Sequence, residues 1–173
     1  MSKCTGDIQA FYREVDRLVS CAVKNLPGQL ACARGCSSCC IDDITVFAIE
    51  AENIRAHFPA LLRDGVPHTR GACAFLDDRG ACRIYLQRPY VCRTQGMPLR
   101  WHEQLESGDY VEMRDICQLN EPTAIPLEEL SEECCWAIGP SEAELSAMQL
   151  TAAGNRCRIG LRSLFMHPSP DTD

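Results

Sequence analysis

The sequence predicts a small α+β domain in which helices enclose short β-hairpins. Three observations support this fold class: helical periodicity near both ends, alternating side chains around glycine-containing turns in the middle, and thirteen cysteines among 173 residues. A chain of this length is typical of one domain. We therefore expect one domain over residues 1–173, with a motif core at 32–120 and a helical extension at 121–173.

Helices are predicted in four places. Apolar residues recur at steps of three and four from Ile8 to Leu26, which indicates an amphipathic helix that ends at Pro27. A second helix is expected over 46–58, because Pro59 follows it. Residues 59–72 are predicted to form a connection. Two further helices are expected near 127–136 and 141–153, the last with a capping box made by Ser141 and Glu144.

Two β-hairpins are predicted between these helices. Apolar residues on either side of the turn at 77–80 indicate a short hairpin over 73–85. Alternating residues before and after the turn at 106–109 indicate a second one over 99–113. The first hairpin would bring Cys73 and Cys82 close together, since they lie at nearly equivalent positions on its two arms.

Charge and hydropathy exclude several classes of function. The formal net charge is −7, and no lysine and arginine cluster is present, which argues against nucleic-acid or anionic-membrane partners. No apolar run approaches the roughly 18 residues that a membrane span needs, and no hydrophobic signal core follows Met1. We therefore expect a cytoplasmic protein, whose reduced cysteines indicate metal binding or redox chemistry.

The first cysteine cluster has a spacing suited to metal binding. Cys32, Cys36, Cys39 and Cys40 lie between the first two helices. A two-residue spacer such as that between Cys36 and Cys39 lets two sulfurs reach one ion. The adjacent pair Cys39 and Cys40 is different, because neighbouring side chains of an extended backbone point to opposite sides. We therefore expect these two thiolates to serve different metals or different corners of a polynuclear cluster.

A second set of cysteines completes the candidate site, at a wider spacing along the chain. This second set is Cys73, Cys82, Cys92 and Cys117. Eight ligands would suffice for two four-thiolate zinc sites, and four of them for an iron–sulfur cluster. The eight candidate ligands are Cys32, Cys36, Cys39, Cys40, Cys73, Cys82, Cys92 and Cys117.

The remaining cysteines are not expected to bind metal. Cys21 is predicted to be a buried structural thiol on the first helix, and Cys4 and Cys157 have no nearby chelating partners in sequence. Cys134 and Cys135 are expected to pack within a helix. The four histidines have no ligand spacing, and no catalytic motif or phosphate loop is present, so we lean against an enzyme.

Three arginines are interleaved with the second set of cysteines. A divalent ion held by four thiolates carries net negative charge, which is costly to bury without nearby cations or N–H donors. We expect Arg83, Arg88 and Arg93 to supply that compensation. The alternative is that Arg88, which precedes Pro89, is simply a solvated turn residue.

Four segments together resemble a known family. They are Gly35 to Cys40, Cys73 to Leu76, Cys82 to Thr94, and Cys117 to Asn120. The combination resembles the bacterial YkgJ-type CxxCxxCC family of zinc- or iron-chelating cysteine-cluster domains. The resemblance implies a metal-chelating cluster; some relatives carry it beside flagellin lysine N-methylase activity. The chain shows no glycine-rich cofactor-binding motif that a methyltransferase would need.

The sequence thus predicts a metal-binding protein whose partners are metal ions. Zinc is preferred over iron because sites made only of cysteine suit zinc, and more than one metal atom per chain is expected. Such a site would be mainly structural, since a closed four-thiolate zinc has no open position. Two alternatives remain open: an iron–sulfur protein in electron transfer or protein modification, and a thiol redox or metal-handling protein.

Overall fold

A computed structural model describes residues 4–26, 28, 30–32, 35–120 and 125–166, with side chains from residue 8 onward. It confirms the α+β class. Helices α1 (Cys4–Asn25), α2 (Ala48–His57), α3 (Pro59–Asp64), α4 (Tyr90–Arg93) and α5 (Pro140–Ala153) accompany five short strands. The strands are β1 (Thr45–Phe47), β2 (Leu99–Gln104), β3 (Tyr110–Asp115), β4 (Trp136–Ala137) and β5 (Arg158–Gly160).

The first helix forms where the periodicity predicts it. Its apolar face buries Ile8, Phe11, Tyr12 and Val15, each at most 4% exposed. These side chains form a core cluster with residues of α2 and α5 and with Trp136. Burial of this face stabilises α1 more than intrinsic helix propensity does.

The strands form two small sheets. The predicted second hairpin is confirmed: β2 and β3 pair antiparallel from Leu99 opposite Asp115 to Gln104 opposite Tyr110. Strand β4 adds to β2 in parallel. A second sheet pairs β1 with β5, which joins the segment after the first cysteine cluster to the end of the described chain. The sequence did not predict this pairing.

Several predicted elements need correction. The connection at 59–72 contains helix α3, with Pro59 at its first turn, where a missing N–H costs nothing. The helix expected over 46–58 begins at Ala48, after β1. The cap of α5 is Gly139, whose N–H donates to Glu142 Oε2 at 2.7 Å, so the predicted box of Ser141 with Glu144 is wrong.

The helix predicted near 127–136 is also wrong. Two short 3-10 turns, Leu127–Glu129 and Glu132–Cys134, occupy this stretch before β4. The guanidinium of Arg114 donates to the carbonyls of Leu127 and Leu130 at 3.0 and 2.6 Å. The Leu127 carbonyl also accepts the Leu130 N–H at 3.4 Å within the first of these turns. Leu130 then adopts an extended conformation with ψ 140°, which ends that turn before a longer helix can form.

A second core cluster supports the cysteine-bearing segment. Phe75, Ile84 and Ile54 are at most 1% exposed and lie in one cluster with Leu161 and Leu164. Residues 73–84 are therefore fixed by apolar packing as well as by their turns. None of the helices in the described ranges combines the length and apolar character that a bilayer crossing requires.

Candidate metal centre

The segment 36–40 contains a turn at its last two cysteines. The Cys40 N–H donates to the Ser37 carbonyl at 2.9 Å. The thiols of Cys39 and Cys40 also influence each other's ionisation. The turn removes the basis for expecting these two side chains to point to opposite sides. That expectation assumed an extended backbone, whereas a turn can place neighbouring side chains on one side.

A backbone hydrogen bond joins the first cysteine cluster to the second set. The Cys73 N–H donates to the Cys40 carbonyl at 2.8 Å. The chain then reverses at 77–80, where Asp77 Oδ1 accepts hydrogen bonds from the N–H groups of Arg79 and Ala81 at 2.9 and 2.8 Å. These contacts set Cys73 beside the 36–40 turn.

The hairpin predicted over 73–85 is present only in part. A single antiparallel bridge pairs Leu76 with Cys82, and the Arg83 N–H donates to the Phe75 carbonyl at 2.9 Å. No longer ladder forms at 73–85, since Ile84 leads directly into a 3-10 turn at Tyr85–Gln87. The two arms nevertheless bring Cys73 and Cys82 together as predicted.

Five cysteines share one partly buried neighbourhood. Helix α4 carries Cys92, whose ionisation is opposed by burial and then by the thiolate charges of the other four. Burial also raises the pKa of Cys40 to about 12, with further increases from neighbouring thiolates. Thiolate charges this close repel one another, so the ionised cluster needs a cation. The five are Cys39, Cys40, Cys73, Cys82 and Cys92.

Backbone amides point at two of these sulfurs in the same local pattern. Burial raises the pKa of Cys73, and a hydrogen bond from the Phe75 N–H opposes that increase. Cys82 repeats the arrangement: burial raises its pKa and the Ile84 N–H opposes the increase. In both cases the donor is two residues after the cysteine. Amide donors of this kind stabilise thiolate, the form that binds metal.

The other candidate ligands lie at the edge of this group. The charges of Cys36 and Cys32 act on the Cys39 thiol, and Cys32 Sγ accepts a hydrogen bond from Asn120 Nδ2 at 3.0 Å. Cys117 is half-buried, and its carbonyl accepts the Asn120 N–H at 2.7 Å. No hydrogen bond joins the Cys117 thiol to another cysteine among the described residues.

The donor set fits a thiophilic metal in kind and number. Thiolates suit zinc and iron, and the amide donors at Cys73 and Cys82 offset their charge. Within the described residues, however, no group of three or more His, Cys, Asp or Glu side chains is arranged to hold an ion. The ligands are thus gathered by the fold without closing into a coordination sphere.

Two of the three predicted arginines act on the cluster. Arg83 donates to the carbonyls of Val66 and Ala74 at 2.9 and 2.8 Å, and its charge favours the thiolates of Cys73 and Cys82. The charge of Arg88 also favours the Cys82 thiolate. This agrees with the predicted compensating role for both residues.

Arg93 has a different role from the one predicted. Its side chain is 3% exposed and forms an ion pair with Asp16 at 2.6 Å. The guanidinium also lies 4.0 Å from the centre of the Tyr12 ring. Because both partners belong to α1, Arg93 links α4, the helix that carries Cys92, to α1.

The fold uses the remaining cysteines in other ways. Cys21 is exposed, so the prediction of a buried thiol is wrong, and Cys157 is exposed as well. Cys134 is buried and donates to the Asn25 carbonyl at 3.1 Å. Cys135 is buried within the same small apolar cluster as Leu130. The side chain of Cys4 and all of His167 lie outside the described residues.

Sequence reasoning missed three polar residues around the cluster. Arg162 donates to both carboxylate oxygens of Asp42 at 2.9 and 3.0 Å, and to the Ala72 carbonyl at 2.9 Å. It thereby holds the residues after Cys40 against those before Cys73. Asn120 is the third. No spacing rule reveals such partners, since Asp42 and Arg162 are 120 positions apart.

The fold and this gathering of thiols define a small α+β cysteine-cluster protein. A model of the CxxCxxCC family, described as "Putative zinc- or iron-chelating domain", matches residues 31–135. The match covers more than half of the chain, and the chain belongs to this family. It extends past the predicted core at 32–120 and includes Cys134 and Cys135. No curated protein and no solved structure matches the chain significantly.

Proposed function

We propose that the chain binds zinc through the thiolates of its cysteine cluster, at a mainly structural centre. The observation that carries this proposal is the repeated N–H···S arrangement at Cys73 and Cys82, within a partly buried group that also holds Cys40 and Cys92. Each amide donor favours a thiolate where burial alone would disfavour it. A cation supplies the remaining compensation, and zinc is the cation that all-thiolate sites favour.

The centre would fasten two parts of the chain. The 32–40 loop has no regular secondary structure in its described residues and contacts the second set through the hydrogen bond between Cys73 and Cys40. Metal–thiolate bonds across the same gap would add a crosslink there. A closed thiolate zinc leaves no open coordination position, so we do not assign catalysis to the metal.

More than one metal atom per chain is part of the proposal. The charges of Cys32 and Cys36 act on Cys39, while Cys40 interacts with Cys73 and Cys82. Cys32 and Cys36 thus interact with one member of the adjacent pair, and Cys73 and Cys82 with the other. Four thiolates satisfy one zinc ion, so eight candidate ligands are enough for two.

The direct experiment compares two cysteine variants. Cys82→Ser should reduce the zinc bound per chain, measured by elemental analysis after gel filtration. Cys157→Ser is the matched control, because Cys157 is exposed and its thiol, among the described residues, is hydrogen-bonded only to the Arg158 carbonyl, at 3.8 Å. Equal zinc in the two variants would contradict the proposal.

An iron–sulfur cluster is the second candidate, and the adjacent, mutually interacting thiols of Cys39 and Cys40 favour it. Two neighbouring thiolates can reach different irons of one polynuclear cluster. Anaerobic purification separates the two candidates. A brown protein that contains iron and inorganic sulfide would replace zinc with this cluster, whereas a colourless protein with zinc would exclude it.

We also infer that the protein works in the cytoplasm. All twelve cysteines whose side chains are described are free thiols. Thiols persist in a reducing compartment, and metal sites made of cysteine depend on it. Directing the chain to an oxidising compartment should therefore abolish metal binding, as measured by metal content and free-thiol count. Unchanged metal content there would contradict this inference.

A further inference from the structure

Asn120 is a buried amide that contacts three separate positions of the chain. It ends the 3-10 turn Gln118–Asn120 and is 8% exposed. Its Oδ1 accepts the Ala31 N–H, and its Nδ2 donates to the Gly96 carbonyl at 2.7 Å and to Cys32 Sγ at 3.0 Å. A carboxamide has two N–H hydrogens, so both donors of Asn120 are committed.

Gly96 forms the other side of the space that holds the Cys32 sulfur. Its φ is +89°, a conformation that residues with a side chain rarely adopt. A Cβ at this position would lie 2.4 Å from Cys32 Sγ and 3.1 Å from Asn120 Nδ2. The missing side chain therefore leaves room for the sulfur against the backbone, with the amide of Asn120 beside it.

We infer that Asn120 is a positioning residue, which orients the Cys32 sulfur for the metal and offsets its negative charge with an N–H donor. The inference rests on the proposed function. It adds a specific partner for the candidate ligand at the start of the cluster, whose charge acts on Cys39. Hydrogen bonds from the surroundings of a metal centre orient its ligands and set their basicity.

The alternative is that Asn120 has a purely structural role, which predicts a different result. The bonds to Ala31 and Gly96 would hold the loops together even if Cys32 bound nothing. A double-mutant cycle between Asn120 and Cys32 separates the two roles, because only the positioning role acts through the sulfur.

The variant Asn120→Asp removes the N–H donor and keeps an oxygen acceptor. Aspartate has the same size and keeps an oxygen for the Ala31 N–H, but its carboxylate cannot donate to Cys32 or Gly96. Zinc affinity, measured by competition with a chromophoric chelator, should fall about 10- to 100-fold. Asn155→Asp is the matched control: it adds the same charge at an exposed asparagine and should leave the affinity unchanged.

The same change in the Cys32→Ser background should alter affinity by no more than about twofold, since the sulfur it acts on is gone. An equal fall in both backgrounds would assign Asn120 a structural role and overturn the inference. Wild-type affinity in Cys32→Ser alone would also overturn it, because Cys32 would then not be a ligand. If Cys82→Ser still lost zinc, the proposed function would remain valid after that result. If Cys82→Ser also kept its zinc, the proposed function would be refuted as well.

The cycle is repeated with Asn120→Leu in place of Asn120→Asp, because an introduced aspartate can itself bind metal and leucine cannot. Far-UV circular dichroism checks the fold of each variant. If Asn120→Asp does not fold, Asn120→Leu and then Asn120→Ser take its place in both backgrounds. Wild-type zinc affinity in the folded variants would refute the inference.

Discussion

Replacing Arg93 by methionine should weaken the fold without removing the metal. Arg93 lies beside Cys92 on α4, yet its charged group faces α1 through Asp16 and Tyr12. It also donates to the carbonyls of Arg88 and Leu86 at 2.9 and 3.2 Å. Methionine keeps most of the apolar length but none of these hydrogen bonds.

The size of the effect follows from these contacts. Each bond from a charged donor to a carbonyl contributes about 1.5 kcal/mol, and the stacking on Tyr12 about 1 kcal/mol. The ion pair adds only about 0.5 kcal/mol, because Asp16 is 47% exposed. Methionine recovers some packing, so we expect a loss of about 3 kcal/mol. With a urea m-value of about 2 kcal/mol/M, the unfolding midpoint should fall by about 1.5 M.

Urea unfolding followed by tryptophan fluorescence measures this shift. Arg17→Met, on α1 next to Asp16, is the control: the ion pair of Arg17 with Glu14 is similarly short, at 2.7 Å, but both side chains are more than half exposed. It should leave the unfolding midpoint nearly unchanged, because solvent screens an exposed pair. A shift in Arg93→Met no larger than in the control would refute the reasoning. So would a folded Arg93→Met that had lost its metal, since Arg93 would then serve the cluster.

Three further predictions concern the metal and one buried acid. Chelation should lower the melting temperature, because the link between the 32–40 loop and the second set is lost; an unchanged melting curve in metal-free protein would contradict this. Glu50 is 3% exposed, and burial raises its pKa although the Tyr90 N–H donates to it. The stability that protonated Glu50 contributes to the fold is therefore fully present below the unfolded pKa of about 4.3 and is lost as pH rises through the folded pKa. Glu50→Gln should thus gain stability relative to the wild type as pH rises, and a pH-independent difference in urea unfolding would contradict this. Single replacements of cysteine by serine should differ in the bound metal that elemental analysis measures. Bound metal should fall when the replaced residue is Cys36, Cys39, Cys40, Cys82 or Cys92, and stay unchanged when it is Cys4, Cys21 or Cys157. If Cys21→Ser loses as much metal as Cys39→Ser, the assignment of the ligands is wrong.

Local patterns predicted the elements whose contacts are local or strongly periodic. Helix α1, the β2–β3 hairpin and the body of α5 all follow from spacing within a short window. The pairing of β1 with β5 could not be predicted, because each strand has three residues and more than a hundred residues separate them. The prediction of a helix at 127–136 failed because contacts from outside the stretch help to shape it: Arg114 of β3 donates to the Leu127 and Leu130 carbonyls.

The candidate site shows the same division. Cysteine spacing predicted that Cys73 and Cys82 meet on the two arms of the reversal, and the charge of Cys73 acts on Cys82 there. The relative direction of Cys39 and Cys40 could not be predicted from spacing, because it depends on the turn that the Cys40 N–H closes with Ser37. Asn120 carries no ligand spacing of its own. Only the fold brings its amide to Cys32.

Metal content per chain tests the central claim most directly. Protein purified anaerobically should contain more than one zinc atom per chain, with native thiols protected from alkylation until the metal is removed. Cys82→Ser should lose zinc, and Cys157→Ser should retain all of it. A folded protein with no bound metal, or with the same metal content in both variants, would contradict the account of a thiolate metal centre. A single metal atom per chain would refute its division into two groups of ligands.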